Sequence, residues 1–162
     1  MTDFEKLLRT LSDGNVEFIL IGGVAATAHG SARLTQDLDV VYRRSSGNID
    51  ILCDTIGKLN PYLRDAPPGL PFLWDPITVE RGLNFTLTTD FGALDLLGEI
   101  TGGGDYDDLL PHTVLLTIFG IECRCLNLEH LIHVKRAAGR PKDLEAVAEL
   151  EALLEEEGKK GI

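Results

Sequence analysis

Asp37-Leu38-Asp39 is the pair of carboxylates best spaced for chemistry in this chain. Strand side chains alternate faces with a period of two, so in an extended segment Asp37 and Asp39 point one way and Leu38 and Val40 the other. Two adjacent carboxylates repel each other unless a cation sits between them. A hard divalent ion with oxygen ligands suits that gap, Mg²⁺ for preference or Mn²⁺. Upstream, the apolar run ending at Ile21 enters Gly22-Gly23, which is expected to form a turn with bare backbone N–H groups. Such groups at the start of a short helix can meet a phosphate. Arg33 and Thr35 lie between the two motifs, a cation and a hydroxyl of the kind that contact phosphate oxygens. Alone, a Gly-Gly pair is most often a tight turn and an Asp-x-Asp most often solvated. Both within one strand–turn–helix–strand unit point to metal, phosphate and nucleotide chemistry.

The pattern Gly22-Gly23-x-Ala25-x-x-x-His29-Gly30-x-x-Arg33-x-Thr35-x-Asp37-Leu38-Asp39-Val40 resembles the minimal nucleotidyltransferases of the DNA polymerase beta superfamily, in the branch that includes abortive-infection toxins of toxin–antitoxin pairs. The wider superfamily usually carries Gly-Ser at the turn. Here Val24 follows Gly22-Gly23, so a serine hydroxyl contact to phosphate is missing, a form common in that branch. The resemblance implies an α/β nucleotidyltransferase fold, a small mixed sheet flanked by helices with the site at one sheet edge. It implies metal-dependent transfer of an NMP from an NTP substrate to an acceptor hydroxyl on RNA or protein, and an antitoxin protein as partner. Transfer to a small molecule such as an antibiotic is the alternative within enzymes. A non-catalytic nucleotide- or partner-binding module of the same fold is the alternative in another class.

A third carboxylate is needed in such sites to hold a second ion and receive a proton. Asp95 is the candidate, because it lies within Ala93-Leu94-Asp95-Leu96-Leu97, an apolar strand where an ionised group is costly unless paired. The bland reading is an acid at a strand end facing water, and Asp90 and Glu99 are weaker competitors. On the resemblance, Asp37 and Asp39 bind both ions and Asp95 binds the second. Gly22 and Gly23 then hold the leaving phosphates with Arg33 and Lys135. Lys135 to Asp143 resembles the family's segment after the core, and Lys135, Arg136, Arg140 and Lys142 form a local basic cluster that could hold a nucleotide. Asp143 in the first turn of a helix suits the helix dipole whatever the function. His29 is read as a structural support of the Gly-Gly turn. His130 and His133 lack an evident third ligand for zinc.

The surrounding elements follow from periodicity and caps. Phe4, Leu7, Leu8 and Leu11 predict an amphipathic helix over 3–13 closed by Gly14. A buried strand is expected over 16–21, a short helix over 24–30, a strand over 37–42 and a helix capped by Ser46. Pro61, Pro67, Pro68, Pro71 and Pro76 break regular structure, yet Leu70, Phe72, Leu73 and Trp74 make the segment too apolar for a free linker. It is expected to be a loop packed on the body, over the active-site cleft. Strands follow over 83–88 and 92–97. Gly102-Gly103-Gly104 with Asp105, Asp107 and Asp108 reads as a mobile acidic loop without the spacing of a calcium loop. A hairpin over 113–126 turns at Gly120, Asn127 caps a helix to about Ala138, and Pro141 opens a last helix to about Glu157.

With 162 residues, a single domain over 1–162 is expected, its core about 1–126 and its closing helices about 127–157. No apolar run reaches the roughly 18 residues a bilayer span needs, and no signal peptide is evident, so a cytoplasmic protein without a membrane partner is expected. The net charge of −11 argues against broad non-specific DNA binding. Cys53, Cys123 and Cys125 have neither zinc-site nor redox spacing and are expected to be free thiols.

Overall fold

A computed structural model describes residues 1–67 and 69–160, the side chain of Lys160 excepted. Pro68, one of the five predicted breakers, lies outside the described residues. Helix α1 (Phe4–Asp13) begins where the Asp3 carboxylate accepts from Lys6 N at 3.0 Å and ends at Gly14, with Leu7, Leu8 and Leu11 as its buried stripe. Strand β1 (Phe18–Ile21) is shorter than expected and buried throughout. Helix α2 (Gly22–Ala28) follows without an intervening turn. Gly22-Gly23 is therefore the first turn of the helix itself, which corrects the expected span of 24–30. Strand β2 (Asp37–Tyr42) matches its expected bounds. Helix α3 (Ser46–Gly57) is capped by Ser45, whose hydroxyl accepts from Asn48 N, rather than by Ser46.

The proline-rich segment is more ordered than a packed loop. Tyr62–Leu63 forms strand β3, and Pro76–Arg81 forms helix α4, capped by Asp75 with proline in its first turn. An aromatic chain holds the segment down: Tyr62 meets Phe72 at 6.1 Å, Phe72 meets Trp74 at 6.4 Å, and Trp74 meets Phe85 edge-on at 5.6 Å. Strands β4 (Phe85–Thr89) and β5 (Gly92–Leu97) form the expected hairpin. The acidic stretch is not a free loop. Short strands β6 (Glu99–Ile100) and β7 (Gly104–Asp105) pair, and Asp105 and Asp108 form a capping box at the start of α5 (Tyr106–Leu109). Two of its acids therefore satisfy backbone N–H groups. Strands β8 (Thr113–Ile118) and β9 (Ile121–Leu126) form the hairpin at Gly120. Asn127 caps α6 (Leu128–Ala138), which stops at Gly139 with φ +68°, and α7 (Pro141–Lys160) follows.

Among the described residues the main sheet has the order β3-β4-β5-β2-β1-β9-β8 and is mixed, with β2/β5 and β1/β9 parallel and the other pairs antiparallel. Leu38, Val40, Leu87, Leu94 and Leu96 are fully buried on β2, β4 and β5. Burial of each contributes about 2 kcal/mol, which fixes the face that the alternate residues must take. Helices α1 and α3 pack on each other, as do α6 and α7, while α2 lies against β1 and β2. All three cysteines are free and buried. No helix among the described residues is long and apolar enough to cross a membrane.

Candidate active site

Strand register assembles the acidic cluster. Strand β2 runs parallel to β5 with Asp39 opposite Asp95 and Asp37 opposite Ala93. Because Asp37 and Asp39 share a face, one oxygen from each of Asp37, Asp39 and Asp95 lies within 4.8 Å of the others. The next strand extends the row: Asp95 is opposite Thr86 on β4, and Arg64 N donates to Thr86 O at 2.9 Å just beyond β3. The side chain of Arg64 crosses this row, its Nη1 3.0 Å from Asp37 Oδ1 and its Nη2 paired with Asp95 Oδ1. The proline-rich segment thus sends a guanidinium into the carboxylates, although none of its described residues lines the two clefts that meet at Asp39. Sequence reasoning missed Arg64, which belongs to no motif. Its one sequence signal is that it is the sole cation between Lys58 and Arg81.

The three acids are unequal. Burial, followed by the charge of Asp95, a hydrogen bond to it and the charge of Asp37, pushes Asp39 up to about 7, against a smaller opposing pull from Lys135. Asp39 Oδ1 is buried with no hydrogen-bond partner. Such an orphan is costly, and an oxygen-seeking cation would satisfy it.

Gly22 makes room for that carboxylate. Its φ is +71°, and a Cβ there would lie 2.9 Å from Asp39 Cβ. A Cβ on Gly23 would lie 2.5 Å from Thr35 Cβ. The Gly-Gly pair is thus required by close approach, which its reading as a phosphate cradle did not include. His29 does not support the Gly-Gly turn: it closes the opposite end of α2, with Nε2 2.9 Å from Leu126 O, tying that end to the end of β9.

Two clefts meet at Asp39. One, of about 260 Å³, is lined by Gly23, Arg33, Thr35, Asp37, Asp39, Lys135, Arg140 and Lys142 among others. The structure therefore brings Gly23, Arg33, Thr35, Lys135, Arg140 and Lys142 of the expected phosphate-side residues to one cavity, while Gly22 lines only the second cleft and Arg136 pairs with Glu151 outside both. The other, of about 440 Å³, includes Gly22, Asp39, Asn84, Leu97, Glu99, Ile100, Leu131 and Lys135. Lys135 and Arg140 are not free cations. Lys135 Nζ lies 3.6 Å from Asp143 Oδ1, and Arg140 Nε donates to Asp143 Oδ2 at 2.6 Å. Asp143 is 1% exposed, so the residue at the start of α7 is a buried counter-ion that fixes both cations at the cleft. Its carboxyl is held below the usual range by Arg140 and Lys135 despite its burial. Arg33 is looser, 3.7 Å from Glu145 on the surface. Asp90 accepts from Asn60 at 2.8 Å and takes no part in the cluster, whereas Glu99 lines the second cleft. His112 and His130 stack at 3.9 Å and His133 lies beside them, but among the described residues the three-acid cluster is the one group with metal-binding spacing.

Solved structures share this architecture. A Thermotoga maritima protein described as a nucleotidyltransferase is 15% identical with a TM-score of 0.53 over 94% of this chain and 91% of its own. The lincosamide antibiotic adenylyltransferase LnuA, bound to lincomycin, is 14% identical with a TM-score of 0.60 over 93% and 95%. ANT(2")-Ia, in complex with adenylyl-2"-tobramycin, is 15% identical with a TM-score of 0.55 over 98% and 97%. No protein-family model and no curated protein sequence matches the chain. At these identities the likeness establishes a shared α/β nucleotidyltransferase fold, with its mixed sheet flanked by helices.

Proposed function

We propose that the protein transfers an NMP group from an NTP to an acceptor hydroxyl, with a divalent cation, Mg²⁺ or Mn²⁺, held at Asp37, Asp39 and Asp95. The observation that carries this reading is the three-carboxylate cluster, whose Asp39 stands where two clefts meet, the first of them bringing Arg33, Lys135, Arg140 and Lys142 to the carboxylates. The donor set fits a hard cation: three carboxylates, of which Asp39 carries a buried unpartnered oxygen and lines both clefts. When bound, such an ion neutralises and orients phosphate oxygens. Arg33, Thr35, Lys135, Arg140 and Lys142 hold the triphosphate in the first cleft, together with backbone N–H groups of Gly22 and Gly23. Asp143 keeps Lys135 and Arg140 aimed there. The acceptor hydroxyl attacks the α-phosphorus. Its new O–P bond forms as the bond to the pyrophosphate oxygen breaks, Asp95 takes the hydroxyl proton, and pyrophosphate leaves on the cationic side. Positioning and charge supply most of the acceleration in such chemistry.

The acceptor enters by the second cleft. Its volume of about 440 Å³, its Leu97, Ile100 and Leu131 walls and its Glu99 suit a small hydroxyl-bearing molecule. The net charge of −11 works against a polyanionic acceptor. Adenylyl transfer to antibiotics by LnuA and ANT(2")-Ia lends that reading support. The toxin reading, with RNA or protein as acceptor and an antitoxin partner, rests on the motif resemblance and is separated by the same assay. Protein is incubated with each α-labelled NTP and Mg²⁺, beside lincosamide and aminoglycoside panels, total RNA and cell protein. Label on a small molecule supports the reading, and label on RNA or protein moves it to the toxin class. No pyrophosphate release with any NTP or acceptor leaves a binding module.

A further inference from the structure

The guanidinium of Arg64 reaches the acidic cluster from a different side than either cleft. Both clefts are lined by Asp39, Lys135, Arg140 and Asp143, and neither by Arg64. Arg64 instead borders a third hollow, with Asp37, Thr88, Gly92 and Ala93. It gets there by register. The Arg64 backbone is bonded to Thr86, and Thr86 stands opposite Asp95. The side chain is only 20% exposed, and its Nε is buried without a partner. Two charge contacts, to Asp37 and Asp95, therefore hold it in place of full hydrogen bonding. Asp39, the acid Arg64 does not touch, keeps the orphaned oxygen and faces both clefts.

Three carboxylates and one guanidinium leave a formal charge of −2, which one divalent ion cancels. A second ion would leave the site at +2. It would also have to share Asp95 with the guanidinium, which already holds Asp95 Oδ1. We infer that Arg64 stands in the place of a second cation, so that the nucleotide-free protein binds one divalent ion, centred on Asp39. This inference rests on the metal site proposed above. It differs from the arrangement expected from the sequence, in which the carboxylates hold two ions.

Counting bound Mn²⁺ by electron paramagnetic resonance, on the whole chain without nucleotide, tests the idea independently of turnover. One Mn²⁺ per chain is expected for the wild type and for Arg64→Lys, which keeps the charge. Arg64→Gln removes a positive charge a few ångströms from the ion, so it is expected to bind the first Mn²⁺ at least about tenfold more tightly and to accept a second. Two ions in the wild type overturn the inference, and so does a folded Arg64→Gln, checked by circular dichroism, that binds one ion with unchanged affinity. If Arg64→Gln does not fold, the wild-type and Arg64→Lys counts decide the matter. Failure of the wild type to bind any Mn²⁺, matched by Asp39→Asn, overturns the metal site itself. The two failures are therefore distinguishable.

Discussion

Asp39→Asn should make the metal-free protein more stable, by an amount that grows as the pH rises from about 4 to about 7. In the folded protein burial and the neighbouring acids raise the Asp39 carboxyl from 3.8 to about 7. The fold therefore favours the protonated form. The stability this group contributes is fully present below about pH 3.8, falls progressively above it, and is lost once the pH has passed through about 7. At about 1.36 kcal/mol per pH unit, the rise from 3.8 to about 7 corresponds to about 4 kcal/mol lost at pH 8. Asparagine cannot ionise, and its amide can donate to Asp95 where a protonated Asp39 would. The substitution should thus stabilise by well under half as much at pH 5 as at pH 8, where it raises the melting temperature by about 10 °C, since 1 kcal/mol shifts a domain of this size by about 2–4 °C. Melts of both proteins in EDTA between pH 5 and pH 8 give the difference directly. A difference independent of pH, or a variant less stable at pH 8, would refute the argument that Asp39 is strained when ionised.

Gly22→Ala should destabilise the fold by about 2 kcal/mol or more, because φ is +71° and the added Cβ runs into Asp39; chemical denaturation measures it, with Gly47→Ala, which meets nothing within 4 Å, as the control. Mg²⁺ and an NTP together should raise the melting temperature more than either alone, and no shift with any pair at millimolar concentration would remove the nucleotide site. Asp95→Asn should leave NTP affinity within a few fold and lower single-turnover transfer by about a hundredfold or more, the scale of a lost general base. Lys135→Ala should do the reverse, weakening NTP binding with a smaller effect at saturation; normal affinity would pass the phosphate role to Arg33 or Arg140.

Much of this protein is written locally. Asp3, Asn127 and Gly139 mark helix ends through side-chain caps and backbone freedom a few residues long, and each is legible without a fold. The shared face of Asp37 and Asp39 needs only the two-residue period of a strand, and the buried leucines on either side of Asp95 mark that acid as unusual. Local reasoning went astray where a chain segment takes its form from neighbours. The acidic stretch around Gly102-Gly103-Gly104 carries loop composition, yet its acids cap α5 and its strands pair. The proline-rich segment is ordered because Trp74 finds Phe85 and β3 finds β4.

The site depended on tertiary structure in three ways. The sequence by itself determined that two carboxylates would face together beside a Gly-Gly helix start, and it nominated Asp95, Lys135 and Arg140. Only the fold decided that β5 lies parallel to β2 in the register that sets Asp39 against Asp95. It decided that Asp143 is buried between Lys135 and Arg140 as their counter-ion. It also carried Arg64 across Thr86 into the cluster, 27 residues along the chain from Asp37 and 31 from Asp95. The physical reason is one of range. Caps and periodicity act over a single turn or strand, whereas strand pairing is selected by burial of the whole apolar face, and a slip of one residue in β5 would send Asp95 to the core side.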